Sequence, residues 1–83
     1  MAKKLKQDIS IGANLQKYRK ATGLSQERVA AKLQLQNLDI SREIISQMET
    51  GIYNIRISVL LALADIYNVP IQDFFADLER YEN

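Results

Sequence analysis

The chain contains no cysteine, no histidine and no tryptophan. Lacking the first two, it has no disulfide, no thiolate nucleophile, no zinc or haem ligand set, and no His-based triad or general base. Catalysis would have to rest on carboxylates, Ser, Lys or Tyr alone. Glycine and proline are nearly as scarce, at three and one, so the breakers that a hairpin-rich fold needs are missing. The longest uninterrupted apolar run is Val59 to Ala64, far short of the ~18–20 residues that span a bilayer. The start MAKKLKQDIS is basic, but no apolar segment follows it as in a secretory signal. These absences predict a soluble, cytoplasmic domain with no membrane partner, no cofactor, no metal and no evident small-molecule ligand. The lack of cysteine also suits a reducing interior.

What is present describes a small folded unit. Eighty-three residues make one domain, and 47% hydrophobic with 25% charged residues is a globular composition. The net charge of +1 argues at first against a polyanionic partner. It conceals a gradient along the chain. Residues 1–32 hold eight Lys/Arg against two Asp/Glu, whereas residues 57–83 hold one against five. Such asymmetry can orient a small domain in an external field while limiting non-specific attraction.

The apolar spacing is helical throughout. Ile11, Leu15, Tyr18 and Thr22 define a first helix over about 10–22, closed by Gly23. Ser25 is a good cap for a second, with Val29, Ala30 and Leu33 as its buried stripe. Ser41 caps a third, from Arg42 to about Thr50, which Gly51 stops; Ile40 and Ile45 are spaced as a hydrophobic staple. Asp39 leaves the position of that cap open by two residues. A fourth helix over about 57–67 is apolar almost all round and should be central. Asn68 suits the left-handed residue that ends it, and Pro70 suits the first turn of a fifth helix with Ile71, Phe74, Phe75 and Leu78 inward. The expectation is an all-α fold of five short helices over residues 10–78, between a flexible segment 1–9 and a tail 79–83.

The third helix carries most information. At about 100° per residue, Arg42, Ser46, Glu43 and Gln47 share a polar sector of roughly 140°, opposite Ile45 and Met48. A solvated face explains such a cluster. So does base reading, because Arg suits guanine, Gln suits adenine and Glu suits the cytosine amino group. Two capped helices followed by a Gly stop have the form of a helix-turn-helix, whose second helix enters the major groove.

The string Ile11-Gly12-x-x-Leu15-x-x-x-Arg19-x-x-x-Gly23-Leu24-Ser25-Gln26-Glu27-x-Val29-Ala30 resembles the opening of the Cro/phage-repressor-type (XRE) DNA-binding family. Ser41-Arg42-x-x-Ile45-Ser46-x-Met48-Glu49-x-Gly51 is similar to its recognition helix and the turn after it. Leu60 to Asp65 and Val69 to Phe75 look like its last two helices. The resemblance implies a five-helix lambda-repressor-like domain and a sequence-specific, repressor-like regulator of prokaryotic or phage type. Its partner would be a near-palindromic double-stranded DNA operator, bound as a homodimer. Arg42, Glu43, Ser46 and Gln47 would face bases; Gln26, Ser41, Thr50 (through its backbone N–H), Tyr53 and Arg56 would contact phosphates. Arg19 and Glu49 would form a structural salt bridge between the first and third helices, and their angular positions beside Leu15 and Ile45 allow it.

The sequence departs from the family in the turn. Gln34 to Ile40 makes it about five residues longer than the common pattern, without glycine, and Asn37 is best suited to a left-handed conformation. One reading is an extra turn of helix and a longer loop, with Leu35 or Leu38 folded onto the core. The other adds Gln36 and Asn37 as phosphate or base contacts. Ile44 replaces a small polar residue, either as core or against a thymine methyl. Tyr67, Phe74, Phe75, Leu78 and Tyr81 are candidates for a dimer interface or for the core, Phe74 for the core above all. The competing function is a protein-interaction module on a helix-turn-helix scaffold with little or no DNA binding, favoured by the low net charge and the insertion. An enzyme has no nucleophile–base pair, metal set or phosphate-cradling loop behind it.

Overall fold

A computed structural model of the chain describes residues 10–52 and 54–78. The expected segments 1–9 and 79–83, Tyr53 and Tyr81 lie outside the described residues. Four α-helices follow in order: α1 Gly12–Thr22, α2 Gln26–Leu35, α3 Arg42–Glu49 and α4 Ile57–Tyr67. A 3-10 turn, Ile71–Phe75, comes last, and no strand occurs among the described residues.

Each boundary has a local cause. Ser25 Oγ accepts the Arg28 N–H at 3.1 Å and Ser41 Oγ accepts the Ile44 N–H at 3.2 Å, so the third helix is capped by Ser41 and not by Asp39. α1 ends at Gly23, with φ of 79°. α2 runs on to Leu35 and closes with the Asn37 N–H on the Gln34 carbonyl and the Leu38 N–H on the Leu33 carbonyl. That pairing leaves Asn37 left-handed, at φ 64°. The insertion is therefore an extra half-turn and a closed loop, which Gln34 Nε2 braces by donating to the Ile40 carbonyl at 3.1 Å. Leu38 packs on the core, whereas Leu35 stays 85% exposed.

The core is built from every element. Leu15, Val29, Leu33, Ile45, Met48, Val59, Leu63 and Phe74 are fully buried, and Ile40 joins Ile45 there. Tyr67 meets Phe74 edge-on, with ring centroids 6.2 Å apart.

The last element departs from expectation. Instead of a fifth α-helix there is a 3-10 turn that follows Pro70 and stops at Ala76 in extended backbone. Asn14 of α1 is the reason: its Nδ2 donates to the carbonyls of Phe74 at 2.8 Å and Ala76 at 2.9 Å. Those acceptors would otherwise continue a helix, and Asp77 turns left-handed beyond them. Phe75 is consequently exposed rather than inward, and Leu78 is half-buried.

Candidate nucleic-acid interface

The two sides of α3 differ sharply. Ile45 and Met48 are buried, and Ile44 packs against the same core. Arg42, Glu43 and Gln47 are exposed, with Ser46 half-buried between them. Arg42 Nη2 and Glu43 Oε2 lie 3.5 Å apart at the start of the helix. Asn37 and Arg56 are exposed, and Ser41 is half-buried with its hydroxyl accepting from the Ile44 N–H.

A buried polar network fixes this helix to the other two. Arg19 of α1 grips Glu49 of α3 through two parallel hydrogen bonds, Nε to Oε2 at 2.6 Å and Nη2 to Oε1 at 3.1 Å. The hydrogen bond to Glu49 pushes the Arg19 guanidinium above its ordinary pKa, outweighing the opposing effect of burial. Arg19 Nη1 also donates to the Leu24 carbonyl at 2.9 Å, which secures the turn into α2. The carboxylate is shared further, because Gln26 Nε2 donates to Glu49 Oε1 at 3.0 Å. Gln26 therefore enters the network with one amide N–H and retains a second, at the positive end of α2.

Helix–helix approach is closest at Gly12. A Cβ there would lie 2.5 Å from the Glu49 carbonyl oxygen and 2.7 Å from that of Met48. α1 therefore sits nearly backbone-to-backbone on the end of α3, a contact that only glycine permits.

The structure brings Arg42, Glu43, Ser46 and Gln47 to one face, with Gln26 tied to the far end of the same helix. Thr50 is different. Its backbone N–H, assigned to a phosphate by resemblance, donates to the carbonyls of Ser46 at 3.1 Å and Gln47 at 3.2 Å. Its hydroxyl donates to the same two carbonyls. That N–H is occupied in closing α3. Tyr53 lies outside the described residues. Sequence reasoning missed Asn14 and the Gln26–Glu49 bond. It also gave no structural role to Gly12, the first residue of α1, whose missing side chain lets the two backbones meet.

No group of three or more acidic side chains able to hold a metal occurs among the described residues. Nor is any described helix long and apolar enough to cross a membrane.

Two short helices joined by a turn, the second exposing a polar face and pinned from behind, define a helix-turn-helix scaffold. The model of a helix-turn-helix family matches residues 15–74, which include all of α2, α3 and α4. The chain belongs to that family, the Cro/phage-repressor-type (XRE) DNA-binding regulators. No curated protein and no solved structure matches it.

Proposed function

We propose that this protein is a sequence-specific, repressor-like regulator that lays α3 in the major groove of double-stranded DNA. The observation that carries the reading is the two-sided α3: Arg42, Glu43 and Gln47 face outward while Ile45, Met48 and Glu49 hold the helix from behind. Arg42, Glu43, Ser46 and Gln47 read bases. Gln26, Ser41, Asn37 and Arg56 contact phosphates, positioning the helix without specifying sequence.

Binding of random-sequence duplex across a salt series tests the reading. Affinity is weak, and its logarithm falls linearly with log salt. On a selected site, Gln47→Ala loses about 1–3 kcal/mol and relaxes specificity locally. Gln26→Ala and Arg56→Ala weaken all sequences alike. Equal losses on every sequence for Gln47→Ala would remove it from the base readers.

The operator is read by two copies, with recognition helices about 34 Å apart on a near-palindromic site. Tyr67 and Phe74 are core residues and unavailable for pairing. Phe75 remains exposed, as do Ile57 and Leu61, one turn apart on α4. The same exposed side chains support the second reading, a protein-interaction module. No detectable DNA binding at low ionic strength would favour it.

A further inference from the structure

The opening of α3 breaks a local rule. Arg42 is its first residue, where the positive end of the helix dipole disfavours a cation. Glu43, the next residue, suits that end and also compensates its neighbour at 3.5 Å. Both side chains are largely free, 52% and 71% exposed, so the pair adds little to stability. A local rule broken without a gain in stability marks a residue placed for what it faces.

The charge count sharpens this. Glu49, the other acid of α3, is buried and neutralised by Arg19. The exposed face of the helix thus carries one cation and one anion, and exposed Asp39 stands in the loop that enters it. Such a surface is a poor electrostatic anchor. Among the described residues, the exposed cations left to attract DNA non-specifically are Lys17, Lys20, Arg28 and Lys32 on α1 and α2, and Arg56. A carboxylate brought against DNA is repelled by phosphates unless a base donor meets it. In the major groove those donors are the cytosine N4 and adenine N6 amino groups. A guanidinium fork beside it fits guanine O6 and N7. A single G·C pair presents both requirements side by side, acceptors on one strand and the amino donor on the other.

Resting on the DNA-binding reading above, we infer that Arg42 and Glu43 act as one unit that reads a G·C base pair in each half-site. Arg42 donates to guanine and Glu43 accepts from the paired cytosine. Elsewhere on DNA, Glu43 holds Arg42 back from the phosphates, so the pair contributes specificity and not general affinity.

The test is site selection from a random duplex pool with the wild-type chain and with Glu43→Gln, together with salt series on one random duplex. Glu43 is exposed, and matching melting curves confirm that the variant is folded. Wild-type sites contain a fixed G·C pair in each half, and replacing it by A·T weakens binding about tenfold to a hundredfold. Glu43→Gln binds random duplex more tightly, because Arg42 is released to a phosphate, and its log–log salt slope steepens by about 0.9. Its selected sites lose the fixed pair. An unchanged slope with unchanged selected sites overturns the inference and leaves the DNA-binding reading standing. Failure of the wild-type chain to bind any duplex at low salt overturns both.

Discussion

At the scale of single residues, the network around Glu49 makes the firmest predictions. Arg19→Met leaves a buried carboxylate without its cation, and Glu49→Leu leaves a buried guanidinium without its anion. Each lowers stability by about 3 kcal/mol, read as a drop in melting temperature. The double variant loses less than the sum of the two, because no charge is left stranded. Additive losses would dismiss the pair as a unit. Gly12→Ala is the second case. Helix propensity alone says alanine should gain about 1 kcal/mol. The Glu49 carbonyl 2.5 Å from the added methyl says otherwise. A loss of about 1–3 kcal/mol in denaturant unfolding is expected, and a gain would mean that α1 can slide off α3 freely. The ion pair was legible in the sequence because Arg19 and Glu49 border apolar stripes. Gln26 joining it was not, since the start of a helix shows nothing of what its side chain will meet across a gap.

Among the elements, the four helices were legible because in each a cap or a stop agreed with the apolar pattern. Ser25, Ser41, Gly23 and Asn68 all stand where their chemistry placed them. The fifth segment misled because Pro70 and the spacing of Phe74 and Leu78 describe a helix perfectly well on local grounds. What shortens it is a side chain about sixty residues earlier, which no local pattern contains. Asn14→Ala therefore has a particular consequence. With the Phe74 and Ala76 carbonyls released, hydrogen exchange at residues 71–78 accelerates, while α2 and α3 keep their protection. The loss in global stability is about 1–2 kcal/mol. Uniform acceleration over the whole chain would show that the C-terminal turn is no separate unit. The lengthened loop was half legible: Asn37 announced its left-handed turn, but nothing in the sequence distinguished Leu38, which packs inward, from Leu35, which does not.

For the whole molecule, pH offers a global probe. Burial, and after it the Glu49 carboxylate, raises the pKa of the Tyr67 phenol above its ordinary 10.0. The unfolded chain therefore releases this proton first as pH climbs. The stabilisation held by the neutral phenol is complete below about pH 10 and declines above it. Tyr67→Phe removes that contribution to the decline, so the wild-type and variant stability curves converge or cross at alkaline pH. Parallel curves from pH 8 to 11 would place the phenol in water. The charge gradient acts at the same scale, and it answers the doubt raised by a net charge of +1. The cations of α1 and α2 and the acids Asp65, Asp73 and Asp77 occupy different elements. A net charge near zero thus hides an uneven distribution along the chain, and such unevenness can orient a small domain in the field of a polyanion.

The meeting of α1 with α3 has one further implication. Gly12, Arg19 and, through Gln26, the start of α2 all hold α3 near Glu49, its last residue. Its opposite end is reached through the lengthened loop. In mechanical terms the helix is clamped at its base by this polar network, while Ile40 and Ile45 seat its opposite end in the core. Under the proposed function, insertions and deletions between Gln36 and Asp39 leave the clamp intact and bear on the end of the helix that carries Arg42 and Glu43. Under that same reading, chains that share this clamp and differ in that loop would read different operators with nearly the same exposed residues on α3.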